Sequence, residues 1–532
     1  MKNLIYLLLV SITLISCSEE KVAKRINWTS ESQQAIQLFE EFLKINEFEK
    51  DMPEYQEKLM DSILSLDSNF VMAKTFYSFG TDEENRQSFM SAYENIGSVS
   101  DIEKRLIEAN YERFFNGNRI VQDSLVDELI IDYPDYYQLR LISGDIKNNI
   151  DVKGCQERWK EALEINPKSF SAHLNLSKLH FPVIASFQML AIDERDLGIA
   201  TKYLTDGEKL YPKSSRWSRY LGNVYRSQGK LNESREAYRK AGKVIEEFEG
   251  GKETPAYAEI IYLIGHVNTA LEEYSEAREA YFQTAELRSK ISDENSTLFS
   301  NVSMRTFIAD SYLYQKDFAN AVFVVSEAQS IIQNTNDVDE LTKINISQYA
   351  EFYKFLIFGH SQKKEEALLS IKNMHSIIDS RIEYFSKIGL SEEEMNRRKT
   401  GSKAGKLGME IWYNILFGEY EEARNMLTEF KEITDIQLTY DPRAQTDYYK
   451  YLGYLNLMEG NPQESINAYN QIPKEVLNDD NYHMYFLALS KRAIGQNEES
   501  KNMMISLAND NFATWQNAIV KNLAKAQIKT NI

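Results

Sequence analysis

The sequence predicts an all-α chain built as an array of stacked helix–turn–helix units. Three observations predict it. A length of 532 residues is too great for one ordinary core and implies several domains or one extended array. Only 9 prolines and 22 glycines occur, while Leu, Glu, Ala, Lys and Tyr abound, which favours helix over sheet. One pattern also recurs: small and aromatic residues fall at helical spacing on either side of a tight turn. The 32 Tyr and 26 Phe argue against disorder, whose composition is aromatic-poor.

Taken in order, the chain opens on an address. Lys2 supplies a positive start, and Leu4 to Ile15 is an apolar run broken only by Ser11 and Thr13. That run is too short to span a bilayer as a stable helix but suits a secretory signal. It ends Leu14-Ile15-Ser16-Cys17, which resembles a bacterial lipobox. The resemblance implies that residues 1–16 are a lipoprotein signal peptide and that Cys17 carries the lipid. Two or three acyl chains hold a protein on a membrane far better than one. Ser18 rather than aspartate follows, which implies the outer membrane, and Ser18-Glu19-Glu20-Lys21 is similar to the export tag of Bacteroidota surface lipoproteins. Residues 17–29 have no apolar period and are expected to be an acidic tether.

Residues 30–135 read as irregular helical pairs. Ala35, Leu38, Phe39, Phe42 and Leu43 share one face of a helix that Ser30 or Ser32 could cap. Pro53 suits the first turn of the next helix. A pair follows around Gly80-Thr81, then helices over 101–115 and 119–132 with the turn Asn116-Gly117-Asn118 between them.

Residues 136–510 form the array, and residues 215–248 are its clearest unit. Trp217, Leu221, Gly222 and Tyr225 lie on the first helix, Gly229 is in the turn, and Ser234, Tyr238 and Ala241 lie on the second. Gly222 and Ser234 let the helices approach, Tyr238 fills the wedge beyond them, and Gly229 can end the first helix with positive φ. This closely resembles a tetratricopeptide repeat, a unit of about 34 residues. The resemblance implies a right-handed α-solenoid of about nine to eleven such units. Units start near 136, 181, 215, 258, 302, 348, 404, 446 and 481. Their anchors include Cys155 and Trp159, Ala200 and Gly207, Gly265 and Tyr281, Ala309 and Val325, Ala367 and Ile371, Ala423 and Leu427, Gly453 and Tyr469, and Ala488 and Ser500. Cys155 reads as a small packing residue rather than a reactive thiol. The second unit carries an insertion at 180–196, and the extra residues of other units suggest lengthened helices. HEAT or armadillo units are rejected because the small-to-aromatic spacing is fixed relative to the turn. Residues 511–532 are expected to form a helix capping the open end, and a tail.

Composition excludes some functions. The net charge of −19 repels nucleic acid and anionic lipid, so no nucleic-acid partner is expected. The densest basic stretch, 397–406, is expected to be a solvated loop. Within it, Gly401 to Lys406 faintly resembles a phosphate loop but is one residue short and has Leu407 where magnesium needs a hydroxyl. No HExxH or CxxC occurs, and none of the six histidines has a His or Cys three or four residues away. No catalytic residue, metal or cofactor is expected, and the chain is not read as an enzyme.

The resemblance instead points to the inner wall. In the third unit the groove-lining positions fall on Arg216, Arg219, Asn223, Arg226 and Ser227. Arg219 with Asn223 is similar to half of a carboxylate clamp, but the following units offer Leu263 and Phe307 where its partners belong. The alternative is that these arginines pair with neighbouring glutamates. Later units place Tyr349, Phe352, Trp412, Tyr454, Tyr482 and Tyr485 on the wall, to hold a peptide, stack on sugar rings or pack against lengthened helices. The expected function is a lipid-anchored scaffold of the outer membrane that binds a protein or peptide partner through its concave face, on the periplasmic side or at the cell surface. The alternative is a nutrient-capturing lipoprotein analogous to the SusD family.

Overall fold

The computed structural model describes residues 24–48, 53–80, 82–148, 150–181, 187–388, 390, 392–441 and 443–529. The lipobox and Cys17 lie outside them. Among the described residues every regular element is helical, apart from one isolated bridge between Lys24 and Tyr136. Two compact units form: the first runs to Leu190 and adds Gly198–Pro212, and the second takes Ala191–Leu197 and runs on from Lys213. The array expected from residue 136 is thus shared between them.

Unit one contains α1 (Gln33–Glu47), α2 (Pro53–Leu66), α3 (Val71–Thr75), α4 (Asp82–Glu94), α5 (Asp101–Phe114), α6 (Arg119–Asp132), α7 (Tyr137–Lys147), α8 (Val152–Ile165), α9 (Phe170–Lys178) and α10 (Leu197–Leu210). Phe39, Phe42, Phe70, Leu106 and Leu129 centre its core. Ser100 and Glu103 start α5 with reciprocal capping bonds. Glu103 is fully buried and also accepts from the Thr29 N–H at 2.9 Å and the Thr29 hydroxyl at 2.5 Å. These bonds, with Ile26 buried and Trp28 edge-on to Phe39, fix residues 24–29 on unit one. That part of the expected tether is therefore packed. Cys155 is fully buried, and burial raises its thiol pKa. Helix α9 precedes the insertion and α10 follows it, with His173 edge-on to Tyr203 at 6.1 Å.

Unit two contains α11 (Ser215–Ser227), α12 (Leu231–Phe248), α13 (Pro255–Ala270), α14 (Tyr274–Ile291), α15 (Glu294–Tyr314), α16 (Phe318–Asn334), α17 (Glu340–His360), α18 (Lys364–Lys387), α19 (Glu392–Leu416), α20 (Tyr420–Gln437), α21 (Thr446–Met458), α22 (Pro462–Tyr469), α23 (Lys474–Leu477), α24 (Asn481–Ala493), α25 (Asn497–Asn509) and α26 (Trp515–Lys529). The helices pair as α11–α12, α13–α14, α15–α16, α17–α18, α19–α20, α21–α22 and α24–α25. Lengthening concentrates in α17, α18 and α19, of 21, 24 and 25 residues. Residues 397–406 are helical, not a loop, because α19 runs through them. Arg397 and Arg398 pair one turn back with Glu393 and Glu394, Lys403 pairs with Glu429, and Lys406 with Asp379. Residues 191–197 are tied into the unit by Lys474–Asp193 at 2.9 Å and Arg195–Asp479 at 3.4 Å.

Four of the pairs share one contact. A Cβ on Gly222 would lie 2.3 Å from the Tyr238 ring, and the Ser234 hydroxyl donates to the Gly222 carbonyl at 2.7 Å. Gly144 meets Trp159 in the same way, Gly265 meets Tyr281, and Gly453 meets Tyr469. The turns are equally regular. Gly229 has φ +72°, and the Lys230 N–H returns to the Tyr225 carbonyl at 2.9 Å, closing the helix end with a Schellman bond. Equivalent turns place Glu272, Lys316 and Gln362 at positive φ. The core also takes in ionisable groups. His266 is 6% exposed, and burial followed by the field of Arg226 depresses its pKa. Asp310 is 1% exposed; Tyr353 donates to one of its oxygens at 3.3 Å, and burial holds its carboxyl well above the usual range.

Three stability outcomes follow from this packing. Gly222→Ala should cost about 2–3 kcal/mol by overpacking against Tyr238, measured as a fall in Tm. Lys316→Gly should gain about 1 kcal/mol, because its exposed side chain contributes little while its backbone is left-handed; a Tm decrease would contradict this. Asp310 folds with a raised pKa, so its contribution is complete below about pH 4 and is lost as pH rises toward the folded value. Asp310→Asn should therefore stabilise the protein at pH 8 relative to the parent, the gap closing toward pH 4; a pH-independent difference in Tm would refute the assignment.

Candidate partner-binding groove

Successive first helices of unit two touch one another, as α15 does α17, α19 does α21 and α21 does α24. Their inner faces therefore form a continuous wall. In two pairs the wedging tyrosine also bonds the residue that follows the glycine. Tyr238 donates to Asn223 Oδ1 at 2.5 Å, and the Tyr281 hydroxyl lies 2.9 Å from His266 Nδ1. This sets the inward register. Tyr262 and His266 of α13, and Thr306 and Asp310 of α15, occupy the places of Arg219 and Asn223. Leu263 belongs instead to the core with Tyr238 and Ile245, and Phe307 packs among Tyr262, His266 and Tyr281. Both positions where the clamp's partners belong are thus filled by packed apolar side chains, which supply no clamp.

The arginine wall divides. Arg216 is half-buried. Arg219 pairs with Glu259 and lies over the Tyr220 ring at 5.1 Å. Arg226 is only 3% exposed, its guanidinium lies 4.0 Å from the Phe512 ring centroid, and its Nε and Nη1 meet no hydrogen-bond acceptor among the described residues. Pairing with glutamate therefore describes Arg219 but not Arg226.

The aromatic residues meet around one that the sequence reading had not placed there. Trp515 lies 5.9 Å from Phe352, 5.7 Å from Trp412 and 5.5 Å from Tyr482, centroid to centroid. Trp412 donates to the Tyr482 hydroxyl at 3.2 Å. Tyr454 stacks on Phe486 at 4.0 Å, with Tyr485 beside the same ring at 5.5 Å. Trp412, Tyr454, Tyr482 and Tyr485 are buried, whereas Tyr349 is 38% exposed, its hydroxyl 3.3 Å from that of Thr306.

Trp515 belongs to α26, the expected cap. The helix does pack on α24 and α25, but it also packs on α15, several units earlier in the chain. Residues 511–529 therefore lie along the inner wall and do not simply close an end. Asn511 donates to the Arg226 carbonyl at 3.3 Å, Asn522 donates to the Tyr314 carbonyl at 2.9 Å, and Lys525 pairs with Glu272 at 2.9 Å. The two carbonyls belong to the last turns of α11 and α15, where helix carbonyls lack intrahelical partners. Asn517, fully buried, bonds Asp510, Phe512 and Asn481. Lys521 donates to the Asp510 carbonyl and to Asn511 at 2.6 and 3.1 Å, and burial lowers its pKa to about 8. A cap needs one polar face. In α26, Asn522 and Lys525 are polar residues that bond the wall.

Among the described residues no three His, Cys, Asp or Glu side chains converge as metal ligands, and no helix is long and apolar enough to cross a membrane.

No curated protein matches the chain. Among solved structures, the apo form of RapI has a TM-score of 0.39 at 14% identity, covering 81% of this chain and 99% of that one. The apo form of the quorum sensor NprR from B. thuringiensis gives 0.35 at 12%, covering 76% and 99%. A tetratricopeptide repeat protein from Parabacteroides merdae gives 0.34 at 13%, covering 56% and 96%. Residues 214–290 match the family model described as tetratricopeptide repeat, and the all-α array around them is built from helix–turn–helix pairs of the same kind.

Proposed function

We propose that the protein is a lipid-anchored scaffold that binds a protein or peptide partner through the inner wall of unit two, within an outer-membrane or cell-surface assembly. The observation that carries the binding half is the seat of residues 511–529. The wall holds a helical segment by an inserted indole and by donors to exposed helix-end carbonyls, which is the chemistry by which a groove recognises a helix. The anchoring half rests on Leu14-Ile15-Ser16-Cys17 directly after the apolar run. Sugar stacking is less well served, because Trp412 and Tyr482 are 6% and 1% exposed and offer no open ring face.

Crosslinking and pull-down from intact cells tests both halves. Cys17→Ala should move the protein from the membrane to the soluble fraction and lose its captured partners. Arg216→Glu with Tyr349→Ala, two substitutions on accessible inner positions, should lower capture about tenfold while leaving membrane attachment intact. Capture unaffected by the wall substitutions would place the partner site elsewhere.

A further inference from the structure

The seat of residues 511–529 is poorly satisfied in one place. Arg226 is buried under Phe512, yet its Nε and Nη1 have no acceptor among the described residues. A buried guanidinium is best matched by a carboxylate, which takes its parallel N–H groups in two charge-assisted bonds, and a phenyl ring accepts neither. The neighbouring seats are well filled: Trp515 sits among Phe352, Trp412 and Tyr482, and Lys525 pairs with Glu272. An opening lined by Thr269, Tyr314, Phe512, Lys521 and Asn522 remains between segment and wall. The mismatch between segment and wall is thus at Arg226, with the opening at Phe512 close to it.

From this, and resting on the scaffold reading above, we infer that residues 511–529 are a removable plug, and that the groove's other occupant is a helical segment of a protein partner with a carboxylate in the place of Phe512, an aromatic residue in the place of Trp515, and a basic residue in the place of Lys525. The acid lies three residues before the aromatic, just ahead of the helix that begins at Trp515. The plug and the partner share the aromatic and basic seats, so they exclude one another.

The probes are two labelled synthetic peptides, residues 510–529 as they stand and the same peptide with Phe512→Glu, titrated by fluorescence anisotropy against the full chain. Against the Trp515→Ala chain, whose plug has lost its anchor, the Glu peptide should bind at least tenfold more tightly than the parent peptide. Adding Arg226→Met to that chain should abolish the preference. The unaltered chain should bind both peptides at least tenfold more weakly than the Trp515→Ala chain. Equal affinity of the two peptides, a preference that survives Arg226→Met, or equal binding by plugged and loosened chains would overturn the inference, as would absence of binding to a folded Trp515→Ala chain. Hydrogen exchange on the unaltered chain decides the case in which that variant does not fold. Amides of 515–529 should exchange at least tenfold faster than those of 481–493, and equal protection would rule out a plug. These probes come from the chain itself, so their failure leaves the scaffold reading standing, and failed capture from cells leaves the plug standing.

Discussion

A side-chain-free stretch of backbone under an aromatic ring is the contact on which unit two depends. Where Gly222 meets Tyr238, the ring occupies the volume that any Cβ would need, and Ser234 ties the second helix to the Gly222 carbonyl. The crossing of this pair, and of those where Gly265 meets Tyr281 and Gly453 meets Tyr469, follows from that fit. So does the inner surface, because the ring's hydroxyl reaches the residue after the glycine and fixes Asn223, or His266 at the equivalent contact of Gly265 and Tyr281. Packing and recognition are therefore coupled: the residue that wedges a pair also sets the first polar group along the wall.

That wall is unusual in its balance of charge. The chain as a whole is acidic, and its outer helical faces carry ion pairs one turn apart, such as Lys202–Asp206 and Lys431–Asp435. Exposed pairs of this kind add little to stability. Inside unit two, by contrast, Arg226 and Asp310 are buried with atoms that lack hydrogen-bond partners. Groups left in that state oppose folding. Their positions on the groove floor, beside residues that bind α26, link the least satisfied part of the core to the surface most suited to a partner.

Much of the array was legible in the sequence because its signals are local. Gly222, Ser234 and Tyr238 declare the pair by size and spacing, and Gly229 declares the turn by its freedom at positive φ. The turns at Glu272, Lys316 and Gln362 carry no such residue and were located only by their distance from the anchors. Residues 397–406 were misread because two glycines and five basic residues look like a loop, while the acids that hold them helical, Glu393, Glu394, Glu429 and Asp379, lie a turn or a helix away.

The candidate wall was partly legible. Arg226, Phe352, Trp412 and Tyr482 were all placed on it by the resemblance to the repeat family, but their surroundings were not. Each meets residues 511–529, remote in sequence, and no periodicity in either segment signals the other. The sequence by itself determined the helical pairs, their turns and the residues that face inward, because these follow from size and spacing within about 34 residues. Only the tertiary structure decided that α26 lies along the wall, that Trp515 fills the aromatic seat and that Arg226 is left without an acceptor. Those outcomes depend on contacts between residues up to 285 positions apart, as from Asn511 to Arg226, and such pairings are fixed by the stacking of the whole unit.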